Sequence, residues 1–284
     1  MILHAGHQEI DLSTPRIIGI VNVTSDSFYD GGRTDTNAAI AHANWLLDEG
    51  ATIIDVGGES TRPGAAPVDE RDELARVIPI VEALARENAC VSVDTMKPGV
   101  MRAALDAGAS MINDVRALQA PGAIDVARAS NAAVCLMHMQ GEPRTMQHAP
   151  AYADIVAEVR AFLQRRAHAC IEAGIARERI VVDPGFGFGK TLAHNLDLLR
   201  NLGEIAALGF PVLIGVSRKS MIGAITGRDV DARLAGSIAT ALAAAVRGAR
   251  LLRVHDVRDT VDALSAWGAI QPWPGSQDNR RIEQ

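Results

Sequence analysis

Short apolar runs alternate with longer stretches of helical periodicity along the whole chain. The runs Ile17–Asn22, Ile53–Val56, Val91–Asp94, Met111–Asn113, Ala133–Met137, Ile180–Asp183, Val212–Gly215 and Leu251–Val254 read as strands, and a helix-like segment follows each of them. Over 69–87, Leu74, Val77, Ile78, Val81, Leu84 and Ala85 recur at helical spacing; Pro79 falls inside this pattern and predicts a kink, because it removes one backbone hydrogen bond. Over 151–174 the stripe returns as Ile155, Val156, Val159, Phe162 and Leu163. Eight β/α units in 284 residues predict an α/β fold, a (β/α)8 TIM barrel; an open doubly wound sheet is the alternative with the same alternation. No Ser- or Pro-rich linker interrupts the pattern, so one domain over 1–284 is expected, with a small hairpin within 1–13 capping the barrel bottom and a polar tail over 274–284.

Composition sharpens this only in places. Hydrophobic residues make up 48% and charged residues 22%, an ordinary globular balance, and aromatics are only 4%, so Ile, Val, Leu and Ala fill the core. A net charge of −6 argues against general nucleic-acid binding, so an anionic ligand needs a local cluster of donors. The three cysteines, Cys90, Cys135 and Cys170, are far apart and form no CxxC, which suits a reduced, cytoplasmic protein. Cys90 and Cys135 sit in apolar runs and read as core filler. No run approaches a membrane span, and Met1–Leu12 has no apolar signal-like core.

Candidate chemistry gathers where strands end. Apolar runs stop at Asn22, Asp94, Asn113 and Asp183, and Arg253 and His255 share a face at the end of the last strand. In a barrel, ligands collect at that end. Taken singly, each of these residues could instead cap the following helix. Three loops favour a site: 22–32 (NVTSDSFYDGG), 57–65 (GGESTRPGA) and 215–223 (GVSRKSMIG), in which glycines admit close approach of a ligand and a helix start offers free N–H groups. The first two are polar and poor in apolar anchors, and are expected to order around an anion. Two look-alikes fail. Residues 185–191, GFGFGKT, carry Pro184 where a Walker A loop needs its first glycine, and their spacing misses the dinucleotide fingerprint. His138 has no partner at metal-ligand spacing and reads as a hydrogen-bonded wall residue.

The segments NVTSDSF with DGG, DVGGESTRPGA, SVDT, IND, LMHMQG, DPGFGFGK, GVSRKS and RVHD, in this order over roughly 16–258, resemble the dihydropteroate synthase family of folate biosynthesis. The chain departs from the family at Ser25, where proline is common, and at Tyr29, where a smaller residue is frequent. The resemblance implies a (β/α)8 barrel, usually a homodimer through late barrel helices; here 232–249 is small and apolar enough for either a core face or a dimer face. It implies condensation of 6-hydroxymethyl-7,8-dihydropterin diphosphate with p-aminobenzoate to 7,8-dihydropteroate and diphosphate by an SN1-like path, with sulfonamides as competitors. Carried onto this chain, the pterin pocket falls on Asp94, Asn113, Asp183 and Lys219, with Val115, Met137 and Phe188 as walls. The diphosphate site falls on Asn22, Thr61, Arg253 and His255, with Asn22 as the Mg²⁺ contact. The aminobenzoate site falls on Phe28, Thr61, Arg62, Pro63, Lys219 and Ser220. Asp94, Asp183, Lys219 and Arg253 are the implied catalytic groups. The resemblance also leaves two rivals, a pterin-binding methyltransferase barrel and a non-catalytic pterin carrier. The STRPGA and SRKS loops argue against the first, and intact Asn22, Lys219 and Arg253 against the second.

Overall fold

The computed structural model describes residues 1–23, 29–30, 33–61 and 64–274. Strands β1 (Ile2–Ala5) and β2 (Gln8–Asp11) pair antiparallel as the expected hairpin. β3 (Arg16–Asn22) opens the barrel, and β4 (Tyr29–Asp30) and β5 (Arg33–Thr34) form a two-strand ladder in the loop that follows. The remaining barrel strands are β6 (Ile53–Gly57), β7 (Val91–Asp94), β8 (Met111–Asp114), β9 (Ala133–Met137), β10 (Ile180–Asp183), β11 (Val212–Ile214) and β12 (Ala249–Val254). Each pairs in parallel with its predecessor, and β12 closes on β3 (Leu251 opposite Arg16). The barrel is closed, so the open-sheet alternative is excluded.

Helices follow every barrel strand: α1 (Thr36–Asp48), α2 (Glu70–Arg86), α3 (Pro98–Asp106), α4 (Ala123–Arg128) and α5 (Ile155–Glu172), then the pair α6 (Leu192–Arg200) and α7 (Leu202–Ala206), the pair α8 (Ser220–Thr226) and α9 (Leu234–Val246), and α10 (Val257–Ile270). α2 starts with Glu70, Asp72 and Glu73 and ends with Arg86, charges that suit the helix dipole, and it runs on through Pro79 on its exposed side. Its buried stripe is Glu73, Val77, Ile80, Val81 and Leu84, turned from the periodicity read above, so a carboxylate occupies a core position. The N-caps of these helices are Asp35, Asp69, Lys97, Gly122, Asp154, Thr191, Asn201, Lys219, Arg233 and Asp256. Asn22, Asp94, Asn113 and Asp183 are not among them, which removes the capping explanation for those four.

Alternation along the strands divides the barrel. One parity (Val21, Ile54, Val93, Ile112, Leu136, Val182, Leu252) packs outward against the helices. The other (Ile18, Ile53, Met111, Cys135, Val181, Leu213, Leu251) forms an interior apolar floor together with Leu3, Ala5, Ile10 and Leu12 of the N-terminal segment. The hairpin therefore plugs the end of the barrel where the strands begin, and any ligand must enter from the other end. All three cysteines are buried, and burial raises their thiols, Cys90 to about 12 and Cys170 to about 11, as core filler requires. Leu3→Ala is expected to cost about 3 kcal/mol, the usual price of a core cavity. Urea denaturation checks this; a loss below about 1 kcal/mol means the plug is not part of the core.

Candidate active site

Beyond the floor positions, the same inward parity turns polar on five strands. Ile18 leads to Ile20 and Asn22, Ile53 to Asp55, Met111 to Asn113, Val181 to Asp183, and Leu251 to Arg253. Strand register lines up Asp94 with Asn113 and Asp183 with Met137. Arg253 joins the layer: its Nε donates to Asp55 Oδ2 at 2.6 Å and its Nη2 to Asp94 Oδ2 at 2.9 Å. The Asn113 amide donates to the same Asp55 oxygen at 3.0 Å. Opposite, Asp183 accepts from the Gly185 N–H at 2.6 Å, and the Lys219 ammonium donates to the Phe186 carbonyl at 2.5 Å and lies 4.6 Å from the centroid of the Phe188 ring. Met137, opposite Asp183 in register, and Val115 are buried, and Phe188 is half-buried.

The electrostatics follow from placing these charges inside a barrel. Burial pushes Asp94 up to about 7, against the opposing pull of Arg253 and with further upward pressure from Asp55. Burial also raises Asp183, while Lys219 holds it back. Burial pulls Lys219 down to about 8, with Asp183 opposing. For Arg253 burial lowers the guanidinium, but Asp55 and Asp94 outweigh it and it stays raised. The layer is thus poised for proton and charge changes near neutrality, a pattern concentrated at functional sites.

Three loops frame this layer. In 215–223, Ser217 Oγ meets His255 Nδ1 at 3.0 Å, tying the ends of β11 and β12 together. The two cations of SRKS part company: Lys219 turns inward, whereas Arg218 (φ 57°) turns away to clamp Asp256, with Nε to Oδ2 at 3.0 Å. Ser220 is exposed as the first residue of α8. In 57–65, Glu59 at the loop root is bonded to Lys97 at 2.6 Å, and Lys97 also holds the fully buried Glu73 of α2. Arg76 donates to the Gly58 carbonyl at 2.9 Å. The root of this loop is therefore pinned, which the sequence reading of a polar, weakly anchored loop does not anticipate. Thr61 is half-buried just beyond it. In 184–190, the lysine of the Walker-like segment, Lys190, is buried against the loop's own carbonyls rather than offered to a phosphate. His138 is bonded to Lys190 through Nδ1 at 3.0 Å, the wall role expected of it.

The structure thus brings Asp94, Asn113, Asp183, Lys219 and Arg253 together, with Asn22 and His255 also at strand ends on the same side. Arg253 sits deeper than a diphosphate contact alone requires, between two carboxylates. Phe28, Arg62 and Pro63 lie outside the described residues, as do Ser25 and 275–284 of the tail. Sequence reading misses Asp55, Lys97, Glu59 and Glu73. Asp55 had a usable signal, an acid of inward parity in the middle of an apolar strand; the ion cluster of Lys97 is assembled from three separate segments and had none. Among the described residues no group of three or more His, Cys, Asp or Glu could hold a metal. The half-buried Asn22 amide supplies a single hard oxygen, which fits only an ion that takes most of its ligands from substrate and water.

A family model for pterin-binding enzymes matches residues 18–255. The dihydropteroate synthase of Escherichia coli K12 is 50% identical over the full length of both chains. This chain belongs to the dihydropteroate synthase family of pterin-binding enzymes. The Yersinia pestis dihydropteroate synthase, solved with a sulfonamide drug complex, is 49% identical, with a TM-score of 0.91 over 95% of this chain and 99% of that one. The Xanthomonas albilineans dihydropteroate synthase in complex with 7,8-dihydropteroate is 50% identical, with a TM-score of 0.88 over 96% of this chain and all of that one. Within this family fold, Asp55 links Arg253 to Asn113. In Asp55→Asn, Asp94 loses a negative neighbour and keeps its guanidinium, so Asp94 is expected to titrate below its wild-type value of about 7. Carbon-13 NMR of labelled aspartate carboxyls reads this directly; an unchanged or raised value contradicts the coupling.

Proposed function

We propose that this chain condenses 6-hydroxymethyl-7,8-dihydropterin diphosphate with p-aminobenzoate, giving 7,8-dihydropteroate and diphosphate. The observation that carries this is the convergence of Asp94, Asn113, Asp183, Lys219 and Arg253 on one face of a barrel mouth whose opposite end is plugged. A pterin edge offers adjacent donors and acceptors, which two carboxylates, an amide and an ammonium match, while Met137, Val115 and Phe188 provide apolar walls. Asn22, Thr61, Arg253 and His255 serve the diphosphate. Thr61, Lys219 and Ser220 serve the amine from the described side, with Phe28, Arg62 and Pro63 completing that pocket.

In the reaction the pterin methylene loses its C–O bond to diphosphate and gains a C–N bond to the arylamine, which then gives up a proton. Asp94 and Asp183 stabilise the positive charge that develops on the dihydropterin, and the Arg253 cation steadies the departing anion. An arylamine is a weak nucleophile, so a dissociative path through a stabilised cation suits it. Asn22 would hold a Mg²⁺ ion, which supplies neutralisation of diphosphate charge when bound. None of these roles requires a covalent nucleophile. Sulfonamides, which resemble p-aminobenzoate, are the expected inhibitors. We also read the outer face of α9, with Leu234, Ala235 and Ala239 exposed, as a dimer face, and the protein as cytoplasmic.

A turnover assay with both substrates, with and without Mg²⁺, tests the activity. Asp183→Asn keeps the shape and loses a carboxylate that stabilises developing charge; kcat is expected to fall by about 10²-fold with the fold intact. Wild-type turnover in this variant removes Asp183 from the site. A second expectation concerns pH. The pterin N–H donors favour ionised Asp94, and Asp94 is raised to about 7 by burial. Pterin diphosphate affinity should therefore be highest above pH 7 and decline as pH falls through that value. Calorimetry from pH 8 to 5.5 checks this, and affinity that rises on acidification contradicts it.

A further inference from the structure

Lys190 is 3% exposed, and its ammonium is enclosed by main-chain and imidazole acceptors. It donates to His138 Nδ1 at 3.0 Å, to the Gly185 carbonyl at 2.9 Å and to the Phe188 carbonyl at 3.0 Å, with a longer contact to the His138 carbonyl at 3.3 Å. An ammonium has three protons and no lone pair, so His138 Nδ1 is the acceptor in its bond. Burial and Lys190 drive His138 down to about 3, which keeps its imidazole neutral and able to accept.

The loop around Lys190 is folded tightly by this arrangement. Gly185 and Gly189 have φ of 71° and 61°, and a Cβ there would lie 1.9 Å from the His138 carbonyl and 2.4 Å from the Gln140 carbonyl. Without side chains at these positions the loop packs onto the end of β9, and Lys190 fills the centre of the resulting ring of carbonyls. Asn195 fastens the far side, accepting from the Gly187 N–H at 2.8 Å, and Tyr152 donates to the Gly189 carbonyl at 2.8 Å. The same loop presents the Phe186 carbonyl and the Phe188 ring to Lys219, and the Gly185 N–H to Asp183.

We infer that Lys190 is a positioning residue for the pterin pocket: by gathering the carbonyls of 185 and 188 with His138, it holds the loop in the one shape that aims Lys219. It touches no substrate itself. The loop resembles a phosphate-binding loop in composition, but its lysine points inward to shape the loop, and the ligand-facing ammonium comes from Lys219 on a different strand end. Burial pulls Lys190 down to about 7, with Asp183 opposing, so the ring of acceptors offsets only part of what burying the ammonium costs.

This inference rests on the pterin reading of the site. The test is a double-variant cycle on pterin diphosphate affinity, measured by calorimetry on the full chain with folding verified by circular dichroism. Lys190→Met preserves the stem and removes the donors. It is expected to weaken binding at least tenfold in the wild-type background and less than threefold in a Lys219→Met background, because its effect runs through Lys219. Equal losses in both backgrounds, or unchanged affinity in folded Lys190→Met, overturn the inference. If Lys190→Met does not fold, His138→Phe replaces it. That variant removes the Nδ1 acceptor but keeps an aromatic ring against Phe162 and Tyr152. A threefold or greater loss that vanishes with Lys219→Met supports the role, and no loss, or one that persists, overturns it. Failure of the wild-type protein to bind pterin diphosphate would instead sink the functional reading.

Discussion

The structure depends on keeping charge inside a barrel without letting it go unpaired. Asp55, Asp94 and Asp183 stand on the inward face, and isolated carboxylates in such a place would be strongly disfavoured. Arg253 answers two of them by bridging Asp55 and Asp94, and Lys219 offsets the third through space. Burial is the main cause of the raised Asp94, and three acids facing two cations add to it, so ligand donors are welcome there. A fully neutralised cluster would be more stable and less receptive.

The apolar floor makes this possible. The N-terminal hairpin seals one end with Leu3, Ala5, Ile10 and Leu12, so solvent and ligand reach the charges from one side only. The same parity that builds the floor delivers the polar layer further along five of the strands, so floor and site are rungs of one pattern. Around them, secondary anchors fix the loops: Lys97 with Glu59 and Glu73, Arg218 with Asp256, and Lys190 with its carbonyls. Each uses a buried or half-buried cation to hold backbone or a carboxylate in place, outside the layer that meets the ligand.

Much of this was legible in the sequence. Three strands, Val91–Asp94, Ala133–Met137 and Ile180–Asp183, are bounded as their runs predict, because a buried parallel strand is largely apolar and stops at a polar residue, Asp94 and Asp183 in two of them and just before His138 in the third. Asn113 and Asp183 stood out for the same reason. Asp55 carried a signal, an acid of inward parity, but not a strand-end one, because Val56 and Gly57 carry its strand onward past it. The partners of Arg253 could not be read at all, since Asp55 and Asp94 reach it only when the barrel closes β12 onto β3. Lys190 was visible as the last residue of GFGFGK, but its inward turn depends on the approach of His138 from β9, a contact between residues far apart in the chain.

The central claim is that the inward charges at the barrel mouth are a pterin pocket. A crystal structure of this protein soaked with 7,8-dihydropteroate tests it most directly. The account predicts the pterin edge within hydrogen-bond distance of Asp94, Asn113 and Asp183, with Lys219 beside it and Arg253 still bonded to Asp55. A ligand bound anywhere else on the barrel, with the bonds among Asp55, Asp94, Asn113 and Arg253 unvisited, would contradict it.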